Sequence, residues 1–213
     1  MDTLLALAVL PAAALLYYVW KKDPVEKEPT RLLVVLLLCG VASTIPAIVL
    51  EHAGTYLFLD GWQGTTTGFL LTENFLVVAL VEELCKYFFL RWKTWNDPAF
   101  DYVFDAIVYA VFVSLGFAIA ENISYVLEYG FGTAVMRAFT AIPGHCVFAV
   151  FMGYFYGEAK YAAVQGRTGS SLLLRVAALA APVVCHGAYD FWQASTGSSR
   201  CSCSLRFSSS WFS

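Results

Sequence analysis

Apolar residues run along this chain in blocks of about 20, not in the three-to-four-residue rhythm of a surface helix or the alternation of a half-buried strand. Blocks of that length suit helices that cross a hydrocarbon layer roughly 30 Å thick. The pattern predicts about six spans: residues 3–20, 31–50, 68–90, 103–127, 133–157 and 171–193. The expected fold class is all-α, a polytopic transmembrane helix bundle occupying residues 1–193. Pro11, Pro46, Pro143 and Pro182 fall inside these spans and mark expected kinks, which membrane helices tolerate because neighbours satisfy the freed carbonyls. After residue 193 the pattern changes. Residues 194–213 are rich in Ser, carry Cys201 and Cys203, and are expected to be a disordered tail without a site.

Composition agrees with the pattern, since 59% of residues are hydrophobic and 14% charged, far from soluble usage. Charge adds orientation. Lys21, Lys22, Lys27 and Arg31 lie in the first loop, Arg91 and Lys93 in the third, Lys160, Arg167 and Arg175 around the fifth. Residues 52–67 have no Lys or Arg, and the fourth loop offers only Arg137, just beyond it. Basic residues gather on the cytoplasmic side, so both termini are expected outside a multi-pass cell-membrane protein. The first span is followed by Lys21 and Lys22, not preceded by a basic segment, and reads as an anchor rather than a cleaved signal. Basic residues scattered in this way, with a formal net charge of −3, argue against a nucleic-acid partner and leave membrane lipid as the surroundings.

Several other features read as architecture. Gly153-x-x-x-Gly157 predicts close helix packing. Trp62, Trp92, Trp95, Tyr56 and Tyr102 fall near the interfaces as an aromatic belt. Asp101 and Asp105 suit a helix start. Glu51 and His52 read as a solvated pair at the outer end of the second span.

The informative residues are those that should not be in lipid. The third span holds Glu82, Glu83 and Lys86, the fourth Glu121 and Asn122, the fifth His145, the sixth His186 and Asp190. At 1.5 Å per residue, Glu82, Glu83, Glu121, Asn122, His145 and His186 fall within roughly 10 Å of a common plane. An isolated buried charge costs a few kcal/mol on insertion scales, so four helices each bearing one argue for function over helix-gluing alone. Glu82 and Glu83 stand at i,i+4 and i,i+3 to Lys86, so either can pair with the ammonium while the other activates water. A carboxylate that takes a proton from water, beside an imidazole or amide that stabilises an oxyanion, can hydrolyse a peptide without a Ser or Cys nucleophile. Two histidines and a carboxylate also suit zinc, with His145, His186 and Glu121 as the natural set. No H-E-x-x-H motif occurs, and the cofactor stays open between none and zinc. Asp190, one turn after His186, could fix its tautomer. Cys85 shares a face with Glu82, but buried thiols are common packing residues and the cysteines are read as such. The rival reading is a proton- or metal-ion transporter using the same groups, although no internal repeat supports it. A non-catalytic scaffold is the third.

Glu82-Glu83-x-x-Lys86, Gly116-Phe117-Ala118-x-Ala120-Glu121-Asn122, His145 in an aromatic helix and His186 in the last span, in this order on separate spans, resemble the PrsW family of intramembrane proteases. More distantly the chain is similar to the CAAX-protease and bacteriocin-processing superfamily, from which it departs in three places. Lys86 stands one residue early for E-E-x-x-x-R, Phe117 is followed at +4 by Glu121 instead of His, and His186 at +4 by Asp190 instead of Asn. The resemblance implies packed helices around a water-accessible cavity and cleavage of a single-span membrane-tethered protein near its span. In the type member the substrate is an anti-sigma factor. It also favours Glu82 as base and Glu83 as its charge-paired support. Glu121 would then orient water or protonate the leaving amine, Asn122 would donate, and His145 and His186 would stabilise the oxyanion or bind zinc.

Overall fold

The computed structural model describes residues 2–22 and 27–196, so nearly all of the Ser/Cys-rich tail, with Cys201 and Cys203, lies outside the described residues. Helices account for almost everything described, and no strand occurs among these residues. In chain order they are α1 (Asp2–Lys22), α2 (Thr30–Gly54), α3 (Thr66–Leu71), α4 (Leu80–Thr94), α5 (Val103–Tyr129), α6 (Phe131–Phe139), α7 (Ala141–Val164) and α8 (Thr168–Ser195). A π-helical segment, Thr55–Leu59, prolongs α2, and a second, Thr72–Ala79, joins α3 to α4.

Five helical runs are long and apolar enough to cross a membrane: Leu5–Lys22, Thr30–Leu59, Val103–Tyr129, Phe131–Val164 and Thr168–Ser195. The third predicted span is the path through α3, the second π segment and α4, whose charged residues keep its hydropathy low. Wider π turns are frequent at functional sites, and this one ends three residues before Glu82.

The fifth predicted span, residues 133–157, is not one helix. It divides at Thr140, whose φ −120° and ψ −68° end α6 and begin α7. Pro143 therefore sits in the first turn of α7, where its missing N–H would have had no helical partner. Helices α1, α2 and α8 continue through Pro11, Pro46 and Pro182.

Helix α5 lies at the centre, packing against α1, α2, α4, α6 and α7. Small residues permit this. A Cβ at Gly153 would stand 2.5 Å from Ile107 Cα, and one at Gly157 2.7 Å from Val103 O, so the predicted Gly-x-x-x-Gly face is where α7 meets α5. On the opposite side Gly40 and Gly116 bring α2 against the α5 backbone in the same way, at Val113 O and Leu37 O. Asp105 Oδ2 accepts the backbone N–H of Tyr102 at 2.7 Å and of Asp101 at 3.1 Å, giving α5 its expected start. Gly130, at φ +79°, turns the chain from α5 into α6.

Two interface assignments change. Trp62, Trp92, Tyr56 and Tyr102 are exposed as a belt requires, but Trp95 turns inward against Tyr156 of α7, at 5.4 Å between ring centroids. Glu51 is buried, not solvated, and its Oε1 has no hydrogen-bond partner. It lies one turn beyond Ala47, which packs on Cys85 and Phe117 beneath the polar layer.

Candidate active site

Lys86 is the centre of the polar layer. The α4 backbone puts Glu82 and Glu83 one turn before it, and its ammonium donates to Glu82 Oε2 at 3.0 Å and Glu83 Oε1 at 2.8 Å. A third contact, at 3.3 Å, goes to His145 Nδ1 on α7. Those three acceptors use all three ammonium protons. The charge also lies 4.1 Å from the centroid of Phe117, on α5, so an aromatic face closes the remaining side. Sequence spacing left open which glutamate pairs with Lys86. Both do.

Around this centre His145 bridges Lys86 to a carboxylate, and His186 stands between two carboxylates. His145 Nε2 faces Glu121 Oε2 at 3.0 Å. His186 Nδ1 faces Glu83 Oε1 at 3.0 Å, while its Nε2 lies 3.2 Å from Asp190 Oδ2 at an angle that makes no hydrogen bond. Since Lys86 donates to His145 Nδ1, the proton of that ring belongs on Nε2, pointing at Glu121. The two rings meet edge to face at 5.2 Å, and Phe148 stacks on His186 at 5.0 Å. Ser114 Oγ donates to His145 O at 3.0 Å, tying this turn of α7 to α5.

Arg137, which the sequence reading counts only as a topology signal at the start of the fifth span, belongs to the site. It is buried on α6, and its Nη2 pairs with Glu121 Oε2 at 2.9 Å. Its Nε donates to Asn122 Oδ1 at 2.9 Å, and its guanidinium lies 4.0 Å from the Tyr125 centroid. Asn122 Nδ2 in turn donates to Ala8 O of α1. Asn122 thus stands on the outer side of Glu121, holding Arg137, as the roughly 100° between adjacent helical residues requires. A lone Arg flanked by apolar residues near a span end carried the only available signal, and the positive-inside count absorbed it.

The site residues Glu82, Glu83, Lys86, Glu121, Asn122, His145, His186 and Asp190 are all buried. A narrow pocket reaches His145, His186 and Asp190 between Met136, Arg137, Thr140 and Gln193. It gives the layer a path toward the end of the bundle where α6 begins α7 and α8 finishes. Glu51 is within electrostatic reach of Glu82, Glu121, Lys86 and His186.

Whether a metal ion fits can be tested on charge and donors. Glu82, Glu83, His145 and His186 each offer one ligand atom, and the four atoms lie within 4.8 Å of one another. Glu121 is outside this group, behind the far nitrogen of His145. Glu83 Oε2 is buried without a hydrogen-bond partner. In the ionised layer Glu82, Glu83, Glu121 and Asp190 face two basic cations, Lys86 and Arg137, leaving a shortfall of two positive charges before Glu51 is counted. A neutral His186 also has one N–H for two carboxylates. Nitrogen and oxygen donors, an orphan carboxylate oxygen and a double charge deficit could all be met by one divalent ion. The residues fit.

The model of the family described as "PrsW family intramembrane metalloprotease" matches residues 28–205. The chain is 35% identical over 193 residues to Protease PrsW of Geobacillus kaustophilus, covering 90% of this chain and 80% of that protein. It is 31% identical to the Protease PrsW of Oceanobacillus iheyensis and to that of Bacillus subtilis, over 90% of this chain and 83% of each of those proteins. No solved structure matches. With most of its length matched by the family and by these relatives, the chain belongs to the PrsW family of intramembrane metalloproteases.

Proposed function

We propose that Glu82, Glu83, Glu121, His145 and His186 form the proteolytic centre, supported by Lys86, Asn122, Asp190 and Arg137. One observation carries this reading: two carboxylates of α4 and an imidazole of α7 meet a single buried ammonium, His186 of α8 joins them through Glu83, and four ligand atoms lie within 4.8 Å. Glu82 is the base. Its Oε2 touches Lys86 at 3.0 Å, with His186 at 4.0 Å, whereas Glu83 Oε1 is taken by Lys86 and His186 together. Glu82 accepts a proton from the attacking water and returns it to the leaving amine. Lys86 holds both glutamates in place through the cycle.

Glu83, His145 Nδ1 and His186 Nδ1 would hold the divalent ion, zinc by the chemistry of that donor set, with Lys86 giving up its contact to His145 Nδ1 when the ion is bound. When bound, zinc supplies Lewis acidity toward the scissile carbonyl and makes water easier to deprotonate. Glu121, clamped by Arg137, fixes the ring of His145, as carboxylates behind ligating histidines do, and Asp190, 3.2 Å from His186 Nε2, is placed to accept that ring's N–H once Nδ1 holds the ion. This gives Glu121 a supporting place instead of direct contact with water.

The substrate is a single-span membrane protein cut beside its span, and by the family resemblance an anti-sigma factor is the first to try. The pocket between Met136, Arg137, Thr140 and Gln193 lies at the ends that the basic residues mark as outside, so the scissile segment approaches from there. The protein is multi-pass in the cell membrane with both termini outside. Residues 1–193 are the protease unit, and the Ser/Cys-rich tail has no part in the chemistry. Co-expression with a tethered single-span reporter tests the reading: E82Q should accumulate to the wild-type level and leave the reporter intact. Wild-type cleavage by both E82Q and E83Q would contradict it.

A further inference from the structure

A second unbalanced cluster lies at the other end of α4, away from the proposed proteolytic centre. Trp95, just past α4, is surrounded by three basic side chains from three helices. The guanidinium of Arg175, on α8, is 4.2 Å from its ring centroid, that of Arg91, on α4, 5.2 Å, and Lys160 Nζ, on α7, 5.5 Å. Lys160 donates to Trp95 O. None of the three forms an ion pair with a carboxylate among the described residues. Mutual repulsion of three cations is tolerable around an aromatic face, but it leaves donors of both arginines unused.

Two of those donors and a neighbouring hydroxyl are buried and lack an acceptor among the described residues. Arg91 Nη1 and Arg175 Nε have no hydrogen-bond partner, and neither has the hydroxyl of Tyr87, one turn before Arg91 on α4. Tyr87 lies within electrostatic reach of both arginines. Buried polar atoms in native proteins are nearly always satisfied, so three unsatisfied donors in one place indicate a missing acceptor. A group that can take several N–H and O–H donors and repay two or three positive charges is an anion with several oxygens, and a phosphate is the usual one. Arg91, Lys160 and Arg175 are each partly exposed, so their charged ends can swing from Trp95 to meet it. The cluster also stands on the side that the basic loops mark as cytoplasmic, where the leaflet is anionic.

We propose that Arg91, Lys160 and Arg175, with Tyr87 and Trp95, form a binding site for a phosphate group carried by an anionic phospholipid. The site is separate from the proteolytic centre, and filling it ties α4, α7 and α8 together at their cytoplasmic ends. The test is thermal unfolding of the purified full chain in detergent, titrated with phosphatidylglycerol, with zwitterionic phosphatidylcholine, or with inorganic phosphate. Phosphatidylglycerol should protect the wild type saturably and phosphatidylcholine should not. In R91Q/R175Q the half-saturating concentration should rise roughly 30-fold, from about 1 kcal/mol per basic residue near an anionic surface. K93Q, which removes a neighbouring charge outside the cluster, should titrate as wild type. Saturable protection by inorganic phosphate with none added by phosphatidylglycerol would keep the site but make its occupant a soluble anion. Equal protection by the two lipids, no saturable protection by lipid or phosphate, or the same titration in R91Q/R175Q and wild type would overturn the proposal. Should the double variant not fold, R175Q alone, which leaves α4 untouched, makes the same comparison.

Discussion

The two ends of α4 are charged in opposite ways. Toward its start, Glu82, Glu83 and the facing Glu121 and Asp190 outnumber Lys86 and Arg137. Toward its end, Arg91 joins Lys160 and Arg175 around Trp95, with no carboxylate paired to any of them among the described residues. Neither imbalance is needed to hold helices together, because a buried group without its complement destabilises the bundle. One end is short of positive charge and the other of acceptors. Each would be met by a partner of opposite sign: the proposed divalent ion at one, the proposed phosphate at the other.

The comparison breaks most decisively at Glu82. E82Q keeps the shape and one hydrogen bond to Lys86 but cannot take a proton, so reporter cleavage should fall about 10²–10⁴-fold with abundance unchanged. K86M should act on the fold instead. It strands Glu82 and Glu83 without their cation, and loss of one partner from a buried ionic group costs about 3–5 kcal/mol, visible as a lower unfolding temperature and poor accumulation. If K86M were as stable as wild type, the ammonium would not be the centre of the layer. R137Q should be milder, since Glu121 keeps His145 but loses its clamp. Metal affinity should fall about 10–100-fold by titration against a competing chelator, with cleavage rescued by added metal. Glu51 sharpens the contrast from the other direction. Its buried Oε1 has no hydrogen-bond partner among the described residues, so E51Q exchanges a carboxyl for a neutral amide of the same shape, and unfolding should shift by no more than about 1 kcal/mol. The smallest effect on cleavage belongs to R91Q/R175Q, which should leave the rate unchanged in detergent while the response to anionic lipid weakens.

What the sequence could reveal followed the contrast between a polar group and its apolar surroundings. Glu82, Glu83, Glu121, His145 and His186 stand out because lipid-length apolar runs surround them, and so the bundle and the polar layer could be read before any coordinates. Residues near span ends carry no such contrast. Glu51 therefore reads as solvated and Arg137 as a mere topology signal, though tertiary packing draws both inward. Trp95 failed likewise: an aromatic at an interface reads the same whether it faces lipid or three cations. The helix restart at Thr140 and the π turns before Glu82 depend on backbone bonding that hydropathy does not register. The partners of Lys86 were half legible. Spacing on one helix gave Glu82 and Glu83, but the contact with His145, 59 positions away, depends on how α4 and α7 meet.

The charge deficit around Lys86 is the claim on which the proteolytic reading turns, and metal content measures it directly. Purified, cleavage-competent protein should carry about one divalent ion per chain, and H186Q should lose both the ion and the cleavage while remaining folded. Undiminished cleavage by wild-type protein shown to be free of metal would contradict the account.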